Sequence, residues 1–215
     1  TLSEVMEEYH IPGLWGIDTR KLARNIRDLG SRRAIITDTE VSTEEAVKKI
    51  FETPVPHDAV LRVSSKKRWY SKTASAKYNV VLIDCGLRLS TLHALNARGC
   101  NITVVPHDIS AADVINMRPD GVFISSGPGD PADAFIVTKL IGELKGKYPI
   151  FGIGLGHQLI ALAYGAKINK LKFGHRGANH PIKNLQTGKI EMAAQNHSYV
   201  VDLKSLDNTP LKATH

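Results

Sequence analysis

Cysteine is scarce. The 215-residue chain has two, Cys85 and Cys100, set in neither a C-x-x-C pair nor a Cys/His cluster. That leaves a disulfide framework and a structural zinc site both unsupported, so both read as reduced, buried thiols and no metal is expected. Long apolar runs are missing as well. No stretch approaches the roughly 18 apolar residues of a membrane span, and the first residues lack the basic-then-apolar pattern of a secretory signal. The expectation is a cytoplasmic protein with no membrane partner. No internal repeat is evident.

What is present is the make-up of a globular protein: 42% hydrophobic and 23% charged residues, with length for one full domain and part of another. The formal net charge is +7. Much of the excess lies in Arg20 to Arg33, interleaved with acids, and in Lys66-Lys67-Arg68 to Lys77. No nucleic-acid motif accompanies it, so it reads as solvated surface, with an acidic protein partner still open and no nucleic-acid partner expected.

The first third reads as mixed α/β. Asp18-Thr19 can cap a helix with Leu22, Ile26 and Leu29 on one face, stopped by Gly30. Arg33 to Thr37 reads as a short strand, and Ser42 with Glu45 as a capping box ahead of Val47, Ile50 and Phe51. From Pro54 to Lys77 the pattern decays into proline, serine and lysine, as in a connection between domains. The expected division is 1–64 as the end of a smaller N-terminal domain, 65–77 as linker, and 78–215 as an incomplete second domain.

That second domain alternates. Val80–Ile83, Ile102–Val105, Val122–Ile124 and Ile150–Ile153 are short apolar runs, each followed by a polar or glycine-rich turn. Helix signals separate them: Leu92 to Ala97, the Ser110 and Asp113 cap, and Pro131 opening a stretch with Ile136, Leu140, Ile141 and Leu144. The fold class is therefore α/β, a mostly parallel sheet flanked by helices. Such sheets carry their sites at the carboxyl ends of the strands, at Asp84-Cys85-Gly86, Ser126 to Gly129 and Gly152 to Gly156.

Gly152-Ile153-Gly154-Leu155-Gly156-His157-Gln158 follows a strand and precedes the apolar helix Leu159 to Ala163. This is the context of a nucleophile elbow, but its central position, Gly154, has no side chain. Taken alone, such a turn could equally cradle a phosphate.

Further blocks separate the two readings. Ser125-Ser126-Gly127-Pro128-Gly129-Asp130-Pro131, Gly156-His157-Gln158-Leu159, Lys172 to Pro181 and Ala194-Gln195-Asn196-His197 resemble, in order, the signatures of class I glutamine amidotransferases. The third block, with Ile11-Pro12-Gly13 and Gly16 to Arg20, narrows the likeness to small subunits of carbamoyl-phosphate synthetases. The likeness covers the whole chain but only a middle portion of the family's subunit.

The resemblance implies a thiolate that attacks the amide of L-glutamine, and ammonia channelled to a large synthetase subunit for arginine or pyrimidine biosynthesis. That large subunit would use ATP, magnesium and bicarbonate, with no cofactor in this chain. By motif match the N–H groups of Gly127 and Leu155 resemble the oxyanion hole, and Gly127, Gly129, Leu155, Gln158, Asn196, Ser198 and Tyr199 fall on glutamine-holding positions. Gly154 stands where the family has its cysteine. The family's base and carboxylate lie in a His-Pro-Glu segment that is not among these residues, and Ile182 follows His180-Pro181. The implied chain is thus an amidotransferase subunit without its own glutaminase activity. The alternative is a non-catalytic scaffold or glutamine-binding partner of an ammonia-dependent synthetase.

Departures from the pattern include Ser198 for glycine, Ala178 for glycine, and Leu87 to Ser90 for a lysine-containing run. His157, His175 and His197 read as structural histidines, and Cys85 as core rather than nucleophile.

Overall fold

The computed structural model describes residues 1–215, which form two compact units, Thr1–Val55 and Pro56–His215. The first unit holds helices α1 (Leu2–Glu8), α2 (Thr19–Leu29) and α3 (Thr43–Glu52). Their ends are set by side chains that satisfy backbone groups a helix leaves open. Asp18 accepts from the Lys21 N–H at 2.8 Å, Gly30 closes α2 at φ 92° by donating to the Ile26 carbonyl, and Ser42 and Glu45 form the expected capping box. The expected strand at Arg33–Thr37 does not form. A strand needs a neighbour for its N–H and C=O groups, and this unit contains no other strand to pair with it.

The second unit is built on a five-stranded sheet in the order β1-β3-β2-β4-β5. The strands are β1 (Trp69–Ser71), β2 (Tyr78–Asp84), β3 (Cys100–Pro106), β4 (Gly121–Ile124) and β5 (Ile150–Gly152). β2 pairs in parallel with β3 and β4, and β4 with β5, whereas β1 is an antiparallel edge on β3. Alternate residues of β2 point to opposite faces. Val81 and Ile83 join Val105, Val122 and Ile124 on one face, under Val114 of α6 (Ala111–Asn116), Leu140 and Ile141 of α7 (Phe135–Leu144) and Leu159 of α8 (Leu155–Ala163). Leu82 joins Ile102, Val104 and Phe123 on the other, under Leu92 of α5 (Leu89–Asn96). Burial on both faces is why these strands read as unbroken apolar runs.

The stretch 65–77 is not a free linker, and the compact unit begins earlier, at Pro56. Helix α4 (Ala59–Val63) buries Val60 in the first core, and β1 extends the sheet. Between them Ser65 donates its N–H (3.0 Å) and hydroxyl (2.5 Å) to Asp84 Oδ2, while the Gly86 and Leu87 N–H groups donate to Oδ1 at 2.9 and 2.8 Å. Asp84 therefore ties the incoming segment to the turn after β2.

Because β2 lies between β3 and β4, the chain direction across the sheet reverses beside it, and the crevice at that switch point opens over the turns after β2, β4 and β5. After α8 the chain forms an antiparallel ribbon of β6 (Ile168–Lys183) and β7 (Ile190–Val201), with register shifts between Lys170 and His175 and between Gly177 and His180. No helix is long and apolar enough to cross a membrane.

Burial alone would raise the Asp84 pKa, but the hydrogen bonds from Ser65, Leu87 and Gly86 together outweigh it and hold the carboxyl below its ordinary value. A depressed folded-state pKa gives stability that is complete above the unfolded value of about 3.9 and is lost as pH falls through the folded value. Asp84→Asn should cost about 2–4 kcal/mol at pH 7. In denaturant titrations the gap to the parent should narrow as pH falls below about 4.

Candidate functional site

The elbow is formed by backbone that leaves almost no space for side chains. Gly154 adopts φ 57°, ψ −114° at the N-cap of α8, a conformation a Cβ disfavours. The glycines on either side are required for a different reason. A Cβ on Gly152 would lie 2.5 Å from the Gly156 carbonyl carbon, and one on Gly156 would lie 2.3 Å from the Ile124 carbonyl oxygen. At Gly154 itself the nearest atom to such a Cβ would be the Ser126 Cβ, at 3.5 Å, an ordinary contact. The central position thus has room for a side chain, and its flanks have none.

The loop after β4 runs equally close to the turn after β2. A Cβ on Gly127 would meet the Cys85 carbonyl oxygen at 2.2 Å, so the loop backbone lies directly against that turn. The Ser125 hydroxyl fixes the approach, accepting from the Cys85 N–H at 2.9 Å and donating to the Ser126 carbonyl at 2.8 Å. Leu155 opens α8, where helix geometry leaves N–H groups without an intrahelical carbonyl, and its N-cap has no side chain to take one.

Between these backbones lies a cleft of about 560 Å³. Every position expected from the sequence lines it: Gly127, Gly129, Gly154, Leu155, Gln158, Asn196, Ser198 and Tyr199. The ribbon supplies the last three. Gln158, buried, donates its amide to the Tyr199 carbonyl at 2.8 Å, and the Tyr199 hydroxyl donates to Asp130 at 2.8 Å. Burial and the Asp130 carboxylate push the Tyr199 pKa up to about 12, which keeps the hydroxyl a donor.

Sequence reasoning missed Arg88, Arg176, His197 and Val63, which also line the cleft. Arg176 reaches across the ribbon to the His197 carbonyl and to Ser198 Oγ, the latter at 2.7 Å. The Ser198 side chain therefore gives Arg176 an acceptor that a glycine could not offer. His197 is held between the Tyr199 carbonyl (Nδ1, 3.0 Å) and Gln195 Oε1 (Nε2, 2.6 Å). Desolvation, with the nearby His175, Arg176 and His180, keeps its pKa below the usual imidazole value against the backbone bond. Arg88, an exposed residue, also lines the cleft. No histidine pairs with a nucleophile here. Cys85 is fully buried, and desolvation followed by Asp84 pushes its thiol up to about 12, the opposite of what a nucleophile needs.

The glutamine amidotransferase class-I family profile matches residues 81–215. The carbamoyl phosphate synthase small chain of Staphylococcus epidermidis is 48% identical over all 215 residues, which cover 58% of that relative. The small chain of Listeria monocytogenes serovar 1/2a is also 48% identical over the whole chain, with 59% of its own length covered. A glutamine amido transferase structure from Methylobacillus flagellatus superposes with a TM-score of 0.43 at 18% identity, over 60% of this chain and 58% of that one. The chain thus spans less than two thirds of the curated relatives it matches.

The steric pattern can be measured. Gly156→Ala should cost more than about 3 kcal/mol in denaturant unfolding, because the Ile124 backbone cannot yield. Gly154→Ala should cost only the strain of its positive φ, about 2 kcal/mol. At pH 8 a thiol with a pKa near 12 is almost wholly protonated, so Cys85 should resist alkylation in the folded protein and react once it is unfolded.

Proposed function

The chain belongs to the class I glutamine amidotransferase family, and from that membership we propose that it is the glutamine-handling small subunit of a carbamoyl-phosphate synthase, working in the cytoplasm beside a large synthetase subunit. The observation that carries the reading is the cleft itself. An elbow at φ 57°, ψ −114° sits at the start of α8, with positions from β7 closing the same cavity. The likeness to small chains supports the narrower assignment, since it extends through residues 1–80, outside the amidotransferase match. On this reading the product serves arginine or pyrimidine synthesis.

Hydrolysis of a carboxamide is acyl transfer, which needs a nucleophile, a base and donors for the oxyanion. The cleft supplies the last of these. The Gly127 and Leu155 N–H groups are the donors for the side-chain oxygen of L-glutamine, and Gln158, Asn196, Ser198 and Tyr199 surround the rest of the molecule. Arg88 offers a cation for its α-carboxylate. The bond-forming step is what the chain lacks. Gly154 has no sulfur to attack the carbonyl carbon, so no covalent acyl intermediate can form there. The chain therefore binds L-glutamine without consuming it.

Calorimetry should show L-glutamine binding to the purified chain, weakened about tenfold by Arg88→Ala through loss of a charge-assisted contact, while an ammonia assay stays at the blank. Gly154→Cys should not restore turnover among these residues, because His197, the one histidine lining the cleft, has both ring nitrogens engaged by Tyr199 and Gln195 and is not placed as a base. Ammonia release by the unsubstituted chain, or no glutamine binding at all, would overturn the reading.

A further inference from the structure

Tyr199 touches both of the elements that supply the backbone donors of the cleft. Its hydroxyl donates to Asp130 Oδ2 at 2.8 Å, and Asp130 follows the Gly127-Pro128-Gly129 loop. The other Asp130 oxygen accepts the Ala132 N–H at 2.9 Å, capping the 3-10 turn Pro131–Ala134. At its other end, the Tyr199 carbonyl accepts the Gln158 side-chain amide at 2.8 Å, one turn along α8 from Leu155. A single residue of the ribbon thus bridges the loop carrying Gly127 and the helix carrying Leu155.

The loop needs such a tie. Gly129 lies at φ 91°, and together with Gly127 it gives a two-glycine segment with more conformational freedom to lose than any other residue type would bring. On one side it is fixed by contact with the Cys85 carbonyl. On the other, Asp130 is its first anchored side chain, and that anchor is Tyr199. Because the hydroxyl keeps its proton up to about pH 12, the bond persists across the physiological range. Phenylalanine could fill the same space but could not make it.

We propose that Tyr199 is a positioning residue of this cleft, holding the Gly127–Gly129 loop at a fixed distance from the N-terminus of α8 through Asp130 on one side and Gln158 on the other. The ligand so positioned is L-glutamine and rests on the function proposed above, whereas the tie between loop and helix does not depend on the ligand.

Tyr199→Phe removes the hydroxyl alone. Loss of one hydrogen bond to a charged group should speed amide hydrogen exchange across residues 127–133 about tenfold, with a smaller rise in strand β2. L-glutamine affinity should fall by a similar factor, with the melting temperature lowered by no more than a few degrees. Asp130→Ala should reproduce both effects, and Asp130→Asn, which keeps an acceptor, should rescue most of them. Loop exchange within twofold of the parent in Tyr199→Phe would overturn the proposal. So would a rise shared equally by β2, which would make the tyrosine a contributor to general stability only. If the parent binds no L-glutamine, the functional reading falls, and the exchange measurement still decides the tie.

Discussion

The structure depends on how closely three stretches of backbone approach one another at the carboxyl ends of β2, β4 and β5. The loop after β4 lies on the Cys85 carbonyl, and the first turn of α8 lies on the Ile124 carbonyl and on the end of β5. Neither approach tolerates a Cβ, so glycine stands at Gly127, Gly152 and Gly156. That packing brings the first N–H of α8 to the same crevice as the loop after β4. A helix N-terminus and a glycine loop are ordinary features. Their use here follows from a sheet order that reverses beside β2 and leaves a crevice between them.

The remainder of the cleft comes from the ribbon, whose hold on the site is polar rather than apolar. Gln158, Asp130 and Arg176 fix the stretch Asn196 to Tyr199 by hydrogen bonds to its backbone and hydroxyl groups. Polar ties of this kind specify position more than they add stability, since each replaces bonds that water would otherwise make. The apolar core lies beneath, on both faces of β2 and β4, and supports the turns without entering the cleft's chemistry.

Much of this was legible in the sequence, and for physical reasons. Strands buried on both faces leave unbroken apolar runs, and helix caps leave Asp18, Ser42 and Ser110 where the structure uses them. The glycine turn was legible as a turn, but its reading as an elbow rather than a phosphate cradle rested on the other blocks of the sequence. The ribbon was not. Its strand Ile168–Lys183 includes three glycines-or-prolines and two register shifts, which destroy the alternation that marks a half-buried strand. The stretch 65–77 misled for a related reason. β1, Trp69–Ser71, is a three-residue edge flanked by Lys66, Lys67 and Lys72, charges of the kind that blunt a sheet edge. Arg176 and His197 were hidden because they act across a pairing register that no local pattern reveals.

The backbone at Gly154 has a consequence for how this site can change. A side chain there must be carried in a sparsely populated conformation, so every catalytically equipped version of the elbow is less stable than the glycine one by the strain it holds. On the function proposed above, chemistry and foldedness are opposed at this single position. Once the demand for chemistry lapses, glycine is the residue toward which stability alone would drive it, while the flanking glycines, set by backbone contact, stay fixed whether or not the site is working.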